Sequence, residues 1–181
     1  MVRISEAVKE DHQLLREYHD KILQAEDEDT GTRWGNKFTW ELARYAVAEE
    51  LVVYPALETY IDHGKVMADK DRREQQEIKE QLYKFQSMSA QDEEFRPMLE
   101  NIMTRLNTHI KEEEEEDLAS LESVIKPEES ESLAKKFERT KMFVPTRIHL
   151  HAPKEPVFES VVSFLEAPID RLEDLMRRFP E

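Results

Sequence analysis

No cysteine occurs among the 181 residues, which excludes disulfides, thiolate chemistry and cysteine-bound zinc or iron–sulfur sites. Only three glycines are present, Gly31, Gly35 and Gly64, too few for a glycine-rich phosphate cradle or a succession of tight β-turns. No apolar run approaches the roughly 18 residues that a membrane-spanning helix needs. Net positive charge is missing too: a formal charge of -15 argues against nucleic acid and anionic membrane as partners. The opening Met1-Val2-Arg3-Ile4-Ser5 lacks the apolar stretch of a signal peptide, so a cytoplasmic location is the expectation.

What remains is a chain 37% charged and long enough for one sizeable core, the composition of long amphipathic helices. The hydrophobic period predicts a helix from Ser5, as N-cap, to about Ala25, then an acidic loop from Glu26 to Asp29 ending at Thr30-Gly31. A second helix spans about Arg33 to Asp62, kinked at Pro55 and closed by a left-handed Gly64. A third covers Lys65 to about Gln86, with Ser87 to Ala90 as a turn. The fourth runs from near Asp92 to about Glu122, with Pro97 in its first turns. Short links between long helices predict an all-α, up-down-up-down four-helix bundle over residues 1–125. Residues 126–181 read as a C-terminal helical extension packed on it: a helix from Lys126 to about Met142, an irregular stretch from Val144 to Pro156, and a last helix broken at Pro168. The apolar residues of that tail, Val157, Phe158, Val161, Phe164 and Leu165, are too few for a core of their own.

Steps of four and three along each helix define its inward face. The first gives Val8, His12, Leu15, His19 and Ile22; the second Phe38, Leu42, Tyr45, Glu49, Val52 and Ala56. The third gives Gln75, Ile78, Leu82 and Phe85; the fourth Ile102, Leu106, His109 and Glu113. Polar residues interrupt all four stripes, and antiparallel packing can bring them into one layer. Two interruptions are matched pairs at i and i+4, Tyr45/Glu49 and His109/Glu113, whose side chains leave one helix face together. A lone buried His is usually a hydrogen-bonded core residue, and the acidic run from Glu112 to Asp117 is largely a solvated face. Two carboxylates and two imidazoles buried together, however, are costly without a metal, protons or water.

These residues lie in blocks that resemble the hemerythrin-like proteins with an HHE cation-binding domain, in particular fungal-type members with a C-terminal extension. The blocks are Glu10-Asp11-His12, Trp40-Glu41-Leu42-Ala43-Arg44, Glu49-Glu50-Leu51-Val52-Val53-Tyr54-Pro55-Ala56, Asp71-Arg72-Arg73-Glu74, His109-Ile110-Lys111-Glu112-Glu113-Glu114 and Lys141-Met142-Phe143-Val144-Pro145-Thr146-Arg147. The resemblance implies a di-iron centre in which His12 and His109 are imidazole ligands and Glu49 and Glu113 bridging carboxylates. At two positions the chain departs from it: Tyr45 and Gln75 stand where helix-borne histidines are implied, one missing from each metal.

Three functions follow as expectations. In the first, His12, Tyr45, Glu49, His109 and Glu113 hold one or two iron ions, or manganese, with Gln75 beside an open position for dioxygen or peroxide. In the second, a metal-free pocket uses Tyr45, Glu49, Gln75, Glu113 and the histidines for acid–base work on a small molecule, crowded carboxylates raising each other's pKa. The third is a degenerate bundle that only binds. His19, seven residues and so about 10 Å of helix rise from His12, is expected to hydrogen-bond Tyr45 as a compensating contact rather than share an ion with His12. His149 and His151 read as loop residues that pack the tail, not as a metal pair. The acidic surface suits a monomer or small homo-oligomer.

Overall fold

The computed structural model describes residues 2–149 and 167–181. Four antiparallel rods enclose one core. The first is α1 (Ile4–Leu23); the second is α2 (Glu28–Ala48), a π-helical turn (Glu49–Val53) and α3 (Tyr54–Tyr60) in series. The third is α4 (Gly64–Phe85); the fourth is α5 (Phe95–Glu112), a second π-turn (Glu113–Asp117) and α6 (Leu118–Val124). A further helix, α7 (Pro127–Lys141), lies across α1, α2 and the first π-turn. Residues 167–174 are helical, with Pro168 inside that run. Strands are absent among the described residues.

Apolar periodicity built the core as expected, for every aliphatic and aromatic residue of the four stripes is buried. The ends of the elements differ from expectation for local reasons. Ser5 is not the N-cap: α1 starts two residues earlier, capped by Arg3, whose N–H is taken by Glu6 at 2.8 Å. The acidic loop is shorter than expected because Asp27 caps α2, accepting the Thr30 N–H at 2.8 Å. Gly31 is therefore helical. Gly64 takes no left-handed conformation; it opens α4, where a Cβ would lie 1.8 Å from the Leu57 carbonyl oxygen, so glycine serves close approach.

Pro55 does not simply kink the second rod. The rod widens into the π-turn first, with the Tyr54 N–H donating to the carbonyl of Glu49. An equivalent turn, Leu118 N–H to Glu113 carbonyl, stands in the fourth rod, which has no proline there. Proline is thus accommodated by a turn that its partner rod forms without one. Both turns begin at the glutamate of an i, i+4 pair, and both lead into seven-residue helices.

α7 is tied to the bundle at buried points. The Ser130 hydroxyl accepts the Ile4 N–H at 3.0 Å, and Lys141 Nζ meets both oxygens of Asp11 at 2.6 and 2.7 Å. Arg44, paired with Glu41 at 2.9 Å and stacked on Trp40, reaches the Lys141 carbonyl at 3.5 Å. The residues Val157, Phe158, Val161, Phe164, Leu165 and His151 lie outside the described part.

Candidate metal centre

All four rods contribute polar side chains to one layer of the core. Tyr45 and Glu49 come from the second rod, His109 and Glu113 from the fourth, His12 from α1 and Gln75 from α4; each is at most 2% exposed. One ligand atom each from His12, Glu49 and Glu113 lies within 4.8 Å of the others. Helix period put them on the inward face, and the two π-turns set Glu49 and Glu113 where their rods change pitch. Such turns recur at functional sites because they re-aim side chains.

Around His12 the polar atoms are engaged with one another. Its Nδ1 lies 2.7 Å from Glu114 Oε1 and its Nε2 2.9 Å from the Tyr45 hydroxyl and 3.2 Å from Glu113 Oε2. The Tyr45 hydroxyl donates to Glu113 Oε2 at 3.1 Å. Around His109 the pattern is open. Its Nδ1 meets Glu74 Oε2 at 3.1 Å, while its Nε2, 3.9 Å from Glu49 Oε2, has no hydrogen-bond partner among the described residues. The Gln75 amide nitrogen donates to Glu49 Oε2 at 2.5 Å, and the Tyr54 hydroxyl to the same oxygen at 3.4 Å. Gln75 Oε1, Glu49 Oε1 and Glu113 Oε1 are buried and likewise lack partners among the described residues. Four buried atoms of this layer thus lack partners, and carboxylate and amide oxygens with an imidazole nitrogen are donor types that a hard cation takes.

Electrostatics separate the two glutamates. Burial, reinforced by the charge of Glu113, pushes Glu49 well above the usual carboxylate range. Burial pushes Glu113 up too, but the hydrogen bond and charge of His12 and the charge of His109 outweigh it and hold Glu113 low. His109 is driven down by burial yet held well above the usual range by the nearby carboxylates of Glu49 and Glu113 and by the hydrogen bond to Glu74. Tyr45 stays a phenol, since burial and then the charges of Glu113 and Glu49 raise it well above its ordinary value.

His19 is not part of this layer. Its side chain is 15% exposed and its Nε2 lies 3.1 Å from Glu100 Oε1, so the expected bond to Tyr45 is absent. His12, two turns closer to the layer's level, takes the Tyr45 hydroxyl instead. His149 likewise has an ordinary partner, Asp170 Oδ1 at 2.8 Å.

Several residues of the layer's surroundings escaped the sequence reading. Glu114 and Glu74 orient the two imidazoles from the outside, one residue after Glu113 and one before Gln75. Both sit in the quoted family blocks, which was the available signal. Asp71 and Asp117 are buried acids on the His109 side, with Asp71 raised to about 8 by burial and the charge of Asp117, and Asp117 to about 6 by burial and the charge of Glu113. Asp71, Glu74 and His109 bring one candidate ligand atom each within 4.8 Å, although the Glu74 contact to Nδ1 already explains that convergence.

Comparison with known proteins matches residues 3–121 to the model of the hemerythrin HHE cation binding domain. A hemerythrin-like protein of Schizosaccharomyces pombe is 51% identical over 181 residues, covering 99% of this chain and 89% of the relative. A DNA nickase of Nostoc is 22% identical over 147 residues, which is 81% of this chain and 41% of that enzyme. Among solved structures, a hemerythrin HHE cation binding domain-containing protein from Mycobacterium kansasii shares the fold with a TM-score of 0.65 at 21% identity, covering 78% of this chain and 89% of that one.

Proposed function

Because the chain belongs to the hemerythrin HHE cation-binding family, we propose that its polar layer holds a single non-haem metal ion, iron or manganese, in the half built around His109. The observation that carries this reading is the set of buried, unpartnered atoms: His109 Nε2, Gln75 Oε1, Glu49 Oε1 and Glu113 Oε1. These four residues would hold the ion. Their oxygen-rich donor set favours iron or manganese over softer metals. When bound, such an ion supplies Lewis acidity and one-electron chemistry toward dioxygen or peroxide.

The protein's own residues have definable tasks around it. Glu74 fixes the His109 ring by taking its Nδ1–H, which leaves Nε2 as the inward ligand atom. The amide nitrogen of Gln75 and the hydroxyl of Tyr54 orient Glu49 through its other oxygen. The Tyr45 hydroxyl stands between His12 and Glu113, a hydrogen-bond donor at the edge of the site. His12, Tyr45 and Glu114 complete each other without an ion, so the second metal of the family pattern has no orphaned imidazole waiting for it.

Elemental analysis of protein purified without chelator tests this: one iron or manganese per chain is expected. Two ions per chain, or none together with melting that a chelator leaves unchanged, overturns it. The second of those outcomes would favour a metal-free acid–base pocket, a reading supported by the opposed shifts of Glu49 and Glu113, which suit an acid and a base side by side.

A further inference from the structure

Outside the bundle core, Trp34, Lys37 and Trp40 of α2 and Tyr18 of α1 are all half-buried. With Phe179 and Pro180 they line a cavity of about 350 Å³ that shares no residue with the metal layer. Trp34 and Trp40 are the two tryptophans of the whole chain. The wall formed by the tail is fixed in place, because Arg33 Nη1 donates to the Phe179 carbonyl at 3.1 Å and Asn36 Nδ2 to the Arg178 carbonyl at 2.9 Å. Arg178 also pairs with Asp29 at 2.8 Å.

The charges at this cavity are unlike those of the acidic molecule around it. Lys37 Nζ lies 3.9 Å from the Trp40 ring centroid and 5.7 Å from that of Tyr18. Lys21 approaches Trp34 at 5.9 Å, and the Arg44 guanidinium lies 3.4 Å from the Trp40 centroid. Three cations already at the ring faces disfavour a cationic ligand. Arg44 has Glu41 as its counter-ion at 2.9 Å. Lys37 has no carboxylate within ion-pair distance among the described residues, and its ammonium carries three donors. Glu181, which also lines the cavity, is exposed, where solvent screens its carboxylate. Glu41 also acts on Lys37 from beyond ion-pair distance, but no carboxylate among the described residues caps the ammonium. Aromatic walls with one cation that has no direct ion-pair partner among the described residues suit a small-molecule pocket: flat apolar area for affinity and a single polar group for orientation.

We propose that this cavity is a binding site for a small aromatic anion, a planar ring bearing a carboxylate or a phosphate, whose ring packs among Tyr18, Trp34 and Trp40 and whose anionic group is held by Lys37. The proposal is independent of whether the bundle core carries a metal. It also gives the Trp40 block a use that the metal layer does not.

Isothermal titration of the full chain tests it with indole-3-acetate and phenyl phosphate as probes, and with indole and acetate as the separated halves. Saturable one-to-one binding of either probe is expected, tighter than indole and absent for acetate. The two tryptophan indole N–H resonances, both located at the cavity, should shift together on binding. Lys37→Gln, at a half-buried position and with its melting compared against the parent, should weaken the probes about tenfold or more while leaving indole unchanged. The proposal fails if neither probe binds saturably, if indole binds as tightly as indole-3-acetate, if the tryptophan resonances stay in place, or if Lys37→Gln leaves probe affinity unaltered.

Discussion

Around His12, both ring nitrogens and the neighbouring Tyr45 hydroxyl have partners inside the protein; around His109, the inward nitrogen and the neighbouring Gln75 carbonyl have none among the described residues. The two halves share a plan: a histidine in contact with an outer glutamate, a neutral polar residue (Tyr45 or Gln75), and a glutamate at the start of a π-turn. They differ in what the neutral residue does. A tyrosine hydroxyl can donate and accept, so it closes the gap between His12 and Glu113. A glutamine in the other half spends its amide nitrogen on Glu49 and leaves its oxygen free. Tyr45 and Gln75 therefore leave the two halves unlike: one is a hydrogen-bonded unit, and the other holds buried polar atoms without partners among the described residues.

Three experiments would break or sharpen that contrast. The largest effect is expected from paired histidine substitutions: His109→Leu should abolish metal content, whereas His12→Leu should leave it at one ion per chain by elemental analysis. Equal losses would show that the halves act together. Next come the outer glutamates. Glu74→Gln should lower metal affinity by about 10–100-fold, the usual effect of freeing a ligand histidine from its orienting carboxylate, and Glu114→Gln should change it little. The same titrations should show affinity rising with pH. Glu49 and His109 are both held above their ordinary ranges, so the ion must displace their protons, and acid favours the proton. Proton release measured in weak buffer checks the sign. The smallest effect belongs to Tyr45→Phe, which leaves His12 Nε2 and Glu113 without the hydroxyl between them. A stability loss of about 1–3 kcal/mol in urea unfolding is expected, with metal content intact. Lost metal in that variant would instead make Tyr45 a ligand.

Much of this was readable from residue spacing. The four stripes named the core correctly, and their polar interruptions named all six residues that meet there with helix geometry as the only guide, Gln75 as an ordinary-looking amide. His19 does not meet Tyr45 because its ring nitrogen pairs with the exposed Glu100, a partner on another helix that its own stripe could not reveal. The π-turns left no clear periodicity signal: beside Pro55 a kink was the simpler expectation, and in the run Glu113 to Asp117 five consecutive acids carry no apolar period to shift. Glu114 and Asp117 lay in a run read as a solvated acidic face, and Asp71 and Glu74 carried no inward signal of their own; which of them turn inward depends on the neighbouring rod.

The sequence by itself determined an all-helical bundle and the composition of its polar layer, because a period of 3.6 residues assigns each side chain to a face whatever its neighbours are. Only the tertiary structure decided which polar atoms satisfy one another. That outcome depends on distances of a few tenths of an ångström between residues from different rods, so it separated the closed His12 half from the open His109 half. The same assembly of α1, α2 and the tail placed Lys37 among aromatic rings with no ion-pair partner among the described residues, which no spacing along a single helix could reveal.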